Sequence, residues 1–194
     1  MCSRIIFIVL CLGFVCCKKK YVNPHIEIQT KLGGIEVELF AEKAPKTVAA
    51  FLSYIDSDYY RYATFYRVLN LDNQPSDAFK AELIQGGIYR TKKKPPTHIP
   101  GITHETTKQT GILHKDGTIS LARLEPGTGT TEFFICIGDQ PGFDYGGTNN
   151  PDKQGYAAFG KVVKGMDIVK TIYNRPEDDG YFEPPVYIFN IVRL

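Results

Sequence analysis

The chain has 194 residues, 43% of them hydrophobic and 23% charged, and Lys+Arg 23 against Asp+Glu 21 leaves a formal net charge of +2. That length predicts a single domain, which at this size buries roughly 70% of the surface its unfolded chain exposes and needs no metal or disulfide staple. The composition excludes intrinsic disorder, and so weak a net charge excludes nucleic acid as an expected partner.

Cys2, Cys11, Cys16 and Cys17 lie at the N-terminus and only Cys136 stands in the rest of the sequence, so no secreted disulfide scaffold is expected. Arg4 precedes the apolar run Ile5–Val15, and Cys16-Cys17 is followed by Lys18-Lys19-Lys20. A charge before a short apolar run is the layout of a signal peptide, and the run is well below the roughly 20 residues that span a bilayer. A cysteine closing such a run resembles the lipobox of bacterial lipoproteins. In that family cleavage precedes the cysteine, and the new N-terminal Cys is acylated. The resemblance implies a signal peptide over residues 1–17, cleaved before Cys17 or Cys16, and lipidation at that cysteine. Cys17 is favoured, because Cys16 is then the small residue before the cut; an ordinary signal peptide cut elsewhere is the alternative. The membrane would then be met through an N-terminal lipid anchor only, in a bacterial cell envelope, with a tether over residues 18–24.

Ile26-Glu27-Ile28 and Ile35-Glu36-Val37-Glu38-Leu39 alternate apolar and polar, as half-buried strands do. Between them Lys31-Leu32-Gly33-Gly34 supplies the glycines of a hairpin turn. Pro45 opens a helix over Lys46–Ile55, with Val48, Phe51, Leu52 and Ile55 at helical spacing. Further strands are predicted at Thr64–Leu69, Ala81–Gln85, Thr118–Ala122, Phe133–Ile137, Ala157–Val163 and Val186–Val192, and a second helix over Gly165–Tyr173. Many short strands indicate a barrel or a sandwich, and eight suit a closed barrel with a filled interior. Arg90–Pro100 reads as a basic, solvated, proline-bearing loop.

Several features are decoys. Gly155–Lys161 fits the start of a phosphate loop, but Val162 stands where Ser or Thr must hold magnesium, and a glycine-flanked strand is the better reading. His98, His104 and His114 match no ligand spacing and read as surface histidines, so no metal is expected. Gly127–Thr131 reads as a flexible loop. Cys136, in the apolar run Phe133–Ile137, reads as an inert core thiol. There is no Gly-x-Ser-x-Gly motif on which hydrolase chemistry could stand.

What remains are six segments in order. They are Ala44-Pro45-Lys46-Thr47-Val48 with Phe51-Leu52; Phe65-Tyr66-Arg67-Val68; Ile84-Gln85-Gly86-Gly87; Gly117–Arg123; Thr131-Glu132-Phe133-Phe134-Ile135; and Phe159–Val163 with Gly165-Met166. Together they resemble the cyclophilin family of peptidyl-prolyl cis-trans isomerases over residues 26–194. The resemblance implies a mainly β fold, a closed eight-stranded antiparallel β-barrel capped by two α-helices. It also implies an isomerase acting on X-Pro bonds of folding proteins, with proline-containing peptides and unfolded proteins as partners, a monomeric state and no cofactor.

By the same resemblance Arg67 matches the catalytic arginine and Gln85 the glutamine that hydrogen-bonds the peptide backbone. Phe134, Leu83 and Phe143 match the apolar wall around the proline ring. Ala122 and Arg123 match the segment that contacts the residues preceding the proline. Departures concern the rim. Asn70–Lys80 is an apparent insertion, Glu82 stands where the family has a pocket phenylalanine (leaving Phe79 as the candidate to swing in), Tyr156 replaces a common histidine, and there is no tryptophan. The altered rim leaves one alternative, a catalytically weak module of the same fold that binds proline-containing segments.

Overall fold

A computed structural model of the chain describes residues 21–77, 79–91 and 98–194. The expected signal peptide, its cysteines, most of the tether and the centre of the Arg90–Pro100 loop lie outside these residues. The strands are β1 (His25–Thr30), β2 (Gly33–Leu39), β3 (Thr64–Leu69), β4 (Leu83–Gly87), β5 (Thr118–Leu121), β6 (Phe133–Cys136), β7 (Ala157–Lys164), β8 (Glu177–Asp178) and β9 (Tyr181–Arg193). They pair antiparallel in the order β1-β2-β7-β5-β6-β4-β3-β9, and β1 also pairs with β9. Eight strands therefore close a barrel, and β8 is a two-residue ribbon added beside β9.

Alternation sets the interior. Ile26, Ile28, Ile35, Val37 and Leu39 of the first hairpin are fully buried, while the intervening Glu and Gln face outward. Phe133 sits centrally in the core, with Phe51, Tyr60 and Phe65 each edge-on to it at 5.7–5.9 Å. Phe51 belongs to α1 (Pro45–Asp56), which buries Val48, Phe51, Leu52 and Ile55 as its spacing predicts. Glu105 caps that helix, accepting from the Thr47 amide at 2.8 Å and the Thr47 hydroxyl at 2.7 Å. The other predicted helix is α3 (Met166–Tyr173), entered through Gly165 at φ +86° and packed by Val169 and Ile172.

Four local expectations change. A one-turn helix, α2 (Thr107–Thr110), is present where none was predicted; Thr106 and Gln109 form a reciprocal capping box around its start. The first hairpin turns on Lys31-Leu32, and Gly33 and Gly34 belong to β2. The fourth strand is Leu83–Gly87, two residues later than predicted, because Gly86 and Gly87 continue the ladder opposite Phe65 and Thr64. A side chain at Gly86 would meet the Phe65 ring at 2.9 Å. The last strand starts at Tyr181, since its first half pairs with β8 and with Arg67.

Truncating the central ring should be costly. Phe133→Ala is expected to lower unfolding stability by about 3–5 kcal/mol, read from urea unfolding with an unchanged m-value. A loss below about 1 kcal/mol would mean the barrel does not depend on this ring.

Candidate active site

The site lies on the outside of the barrel, and strand register assembles it. Phe65 and Val68 both point into the core, yet two residues separate them, because β3 carries a register shift between Phe65 and Arg67. A bulge of this kind re-aims side chains, and here it turns Tyr66 and Arg67 toward the same outer face. Across the sheet Arg67 is opposite Gln85, Gln85 opposite Phe134, and Phe134 opposite Ser120. Leu69, Leu83 and Cys136 form the next outward row.

Over that second row lies an apolar cluster separate from the barrel core. Ala81, Leu83, Phe134, Cys136 and Phe143 are buried in it, with Leu69, Ala122 and Tyr156 packed against it. Phe134, Phe143 and Tyr156 form a three-sided cage: every pair of rings meets edge-to-face, with centroids 5.2–5.3 Å apart. Arg67 and Gln85 stand beside this cage, half-buried, and the Arg67 Nη1 donates to Gln85 Oε1 at 3.2 Å. Gln85 Nε2 donates in turn to the Tyr66 hydroxyl at 2.7 Å.

Past Gln85 opens a cleft of about 490 Å³, lined by Tyr66, Arg67, Gln85, Ala122, Arg123 and Glu132 among others. Glu132 is held at its edge by the amides of Ile88 and Tyr89, which donate to Oε1 at 2.8 and 3.1 Å. Burial nevertheless keeps its carboxyl above the usual range. Burial and this neighbouring carboxylate push the Tyr66 hydroxyl well up.

The structure thus brings Arg67, Gln85, Leu83, Phe134, Phe143, Tyr156 and Ala122 together. Arg123 is present too, but its guanidinium is committed. It donates to both oxygens of Asp152 at 2.7 and 3.0 Å and to the Gly155 carbonyl at 2.9 Å, while lying 5.3 Å from the Tyr156 ring centre. Its charge therefore braces the loop that carries Tyr156.

Two readings of the rim and one of the histidines are corrected. Glu82 does not enter the pocket; it accepts from the Tyr173 hydroxyl at 2.7 Å, on the side of α3. Phe79 does not swing in either, being 68% exposed, with its carbonyl accepting from Asn149 Nδ2 at 3.0 Å. The pocket position is filled by Ala81, because Gln74 of the insertion clamps the Ala81 backbone, donating to its carbonyl at 2.8 Å and accepting from its amide at 3.1 Å. His114 is no surface histidine but 1% exposed. Its Nδ1 is 2.8 Å from Asp144 Oδ1 and its Nε2 3.0 Å from Ser120 Oγ, and its ring stacks behind Phe134. Ser120 is fully buried, so this Asp-His-Ser chain braces the cage and offers no exposed nucleophile.

Tyr66, Glu132, His114, Asp144 and Asp152 were not singled out as site residues. Their only sequence signal was a polar residue inside an apolar stretch, such as Glu132 just before Phe133-Phe134, and what pairs with it depends on register between distant strands.

The family model described as cyclophilin type peptidyl-prolyl cis-trans isomerase/CLD matches residues 25–193. The chain is 36% identical over 155 residues to a peptidyl-prolyl cis-trans isomerase of Acinetobacter baylyi, covering 79% of this chain and 74% of that one. It is 34% identical over 151 residues to peptidyl-prolyl cis-trans isomerase A of Dickeya dadantii, covering 77% and 71%. Among solved structures, a cyclophilin type peptidyl-prolyl cis-trans isomerase of Cryptosporidium parvum superposes with a TM-score of 0.69 at 23% identity, over 89% of this chain and 98% of that one. The fold it shares is the closed barrel described above.

Cys136 backs the ring cage, and burial pushes its thiol well up, which disfavours the reactive thiolate. Native protein treated with iodoacetamide is expected to keep Cys136 unmodified, while protein in denaturant is alkylated there, as read by mass spectrometry of the Cys136 peptide. Rapid native alkylation would show that the cage opens.

Proposed function

The chain belongs to the cyclophilin-type peptidyl-prolyl cis-trans isomerase family and is an enzyme of that class, and we propose that its reaction centre is the Arg67–Gln85 pair beside the Phe134, Phe143 and Tyr156 cage. The observation that carries this reading is the single outward row in which Arg67, Gln85 and Phe134 stand opposite one another on three neighbouring strands. A charged fork and an amide thereby border an apolar ring cluster, the surface on which a pyrrolidine ring would pack.

The chemistry asks little else. Resonance gives the C–N bond partial double-bond character, with a rotation barrier of ~18–20 kcal/mol. For X-Pro the two end states differ by only about 0.5–1 kcal/mol, so no energy input is needed. Twisting breaks the conjugation and makes the prolyl nitrogen basic. Arg67 remains charged and presents rigid N–H donors, which meet the developing lone pair best where apolar walls thin the competing water. Leu83, Phe134, Phe143 and Tyr156 would hold the proline ring, Gln85 the peptide backbone, and the Ala122–Arg123 edge of the cleft the residues before the proline.

Arg67→Ala should therefore lower the isomerisation rate of a proline peptide far more than its affinity, since only interactions stronger in the twisted state accelerate rotation. The expected cost is roughly 2.7–4 kcal/mol of barrier, about a hundred- to a thousandfold in rate. Arg67→Lys should recover little, because an ammonium lacks the planar fork. Circular dichroism would confirm that both variants are folded. An unchanged rate in Arg67→Ala would remove this centre and leave these residues as a proline-binding surface.

The proposed setting is a bacterial cell envelope, where the enzyme, as a lipid-anchored monomer, would act on X-Pro bonds of unfolded proteins. The support is the run Ile5–Val15 closed by Cys16-Cys17 and followed by three lysines. Uncatalysed isomerisation takes tens of seconds, long enough to delay folding there. Cys17→Ser should leave the N-terminus without acyl chains while Cys16→Ser is acylated normally, read by mass spectrometry of the mature N-terminus. Normal acylation of Cys17→Ser would move the site to Cys16, and a wild-type N-terminus without acyl chains would dismiss the anchor.

A further inference from the structure

Between β3 and β4 the chain reaches the ring cage through a residue that the proposed reaction does not use. Asn149 Nδ2 donates to the Phe79 carbonyl at 3.0 Å. Asn149 is itself seated on Gly142: its backbone amide donates to the Gly142 carbonyl at 3.1 Å, and a side chain at Gly142 would meet Asn149 Oδ1 at 1.7 Å. Gly142 directly precedes Phe143, one of the three cage rings. Two residues after Phe79, Ala81 is clamped by Gln74 and buried with Leu83 in the outer cluster. The Phe79 backbone is therefore pinned next to the cage from both sides. Its ring is nevertheless 68% exposed and pairs with no other ring among the described residues.

Single exposed apolar side chains are ordinary on a protein surface and by themselves mean nothing. Phe79 differs in its place along the site. Leading into and along β4 the order is Phe79, Ala81, Leu83, Gln85. Leu83 belongs to the cluster that holds the cage, Gln85 meets Arg67, and past Gln85 opens the cleft of about 490 Å³ with Ala122, Arg123 and Glu132. The cage thus has the cleft at one end and Phe79 at the other. A peptide with its proline ring on the cage and its preceding residues in the cleft runs toward Phe79 with the residue that follows the proline. There it meets a flat apolar face on a backbone already fixed, so little freedom is lost when a side chain packs on it. An aliphatic partner gains only the buried area, whereas an aromatic one adds the pairing of two rings.

We propose that Phe79 is a specificity-determining residue: given Arg67 and Gln85 as the reaction centre, it receives the side chain directly after the proline and favours an aromatic one. The test follows isomerisation of blocked Ala-Ala-Pro-Phe and Ala-Ala-Pro-Ala peptides, and of Ala-Phe-Pro-Ala, by wild type, Phe79→Ala, Phe79→Tyr and Arg67→Ala. Wild type is expected to act on Ala-Ala-Pro-Phe with a kcat/KM about three- to tenfold above that for Ala-Ala-Pro-Ala, the range that one aromatic pair supplies. The gain should lie in KM, because stacking away from the rotating bond holds the ground and twisted states alike. Phe79→Ala should remove the preference while acting on Ala-Ala-Pro-Ala at the wild-type rate, and Phe79→Tyr should keep it. Phe79 is exposed, so neither substitution touches the core. A wild type that does not distinguish the two peptides, or a preference that survives in Phe79→Ala, would overturn the proposal alone when Arg67→Ala is inactive. A Phe79-dependent preference for Ala-Phe-Pro-Ala would overturn it as well, since the peptide would then lie the other way round. Arg67→Ala at the wild-type rate would overturn the reading of the centre, and the proposal with it.

Discussion

The bulge in β3 is the constraint on which the rest of the site depends. In a regular strand Tyr66 and Arg67 would take opposite faces, and one of them would have to enter a core already filled by Phe65, Phe133 and Val68. A buried guanidinium there would need a partner that the apolar interior does not offer. The extra residue removes the conflict. It leaves both polar side chains outside, next to Gln85, and lets Phe65 and Val68 remain inside. The outer face of the same strands then carries the candidate site while the inner face carries the stability, and the two are built from different residues of one ladder.

That division explains why two hydrophobic clusters exist. The barrel core is a closed set of aliphatic and aromatic side chains around Phe133, and the second cluster is a smaller set outside the barrel wall, around Phe134. Adjacent residues of β6 thus serve different clusters. The segment from Pro141 to Tyr156 contributes Phe143 and Tyr156 to the outer cluster, and that segment is braced. His114 bonded to Asp144 secures one side, and Arg123 clasped by Asp152 and Gly155 secures the other. Edge-to-face rings fixed from both sides make a preorganised apolar wall, with less rotamer freedom left to lose on binding.

The insertion acts on the same rim. Asn70–Lys80 does not hang free: Asn73 and Gln74 bond back to Val68 and Ala81, and Glu177 accepts from both Asn70 and Asn73. By fixing Ala81 it places a small side chain where Glu82 or Phe79 would have altered the pocket. The same clamp leaves the Phe79 ring in solvent at the edge of the site.

Strand alternation and the helical spacing after Pro45 determined the barrel strands and two of its helices, and the order of the six segments marked Arg67, Gln85, Leu83, Phe134, Phe143 and Tyr156 as candidates, because each of these signals is local or is read from residue order. Register between strands far apart in the chain was decided only by the tertiary structure. It set Arg67 opposite Gln85, tied Arg123 to Asp152, buried His114 against Ser120 and Asp144, and brought Glu132 to the cleft that Tyr66 lines. A histidine reads as a surface residue until its partners, thirty residues away for Asp144, are seen to offset the cost of burying it. The same holds for Glu82 and Phe79, which the family resemblance brought forward, whereas the clamp from Gln74 sets Ala81 in the cluster. The period of a pattern is written into neighbouring residues, whereas the partner of a polar group is a property of the closed barrel.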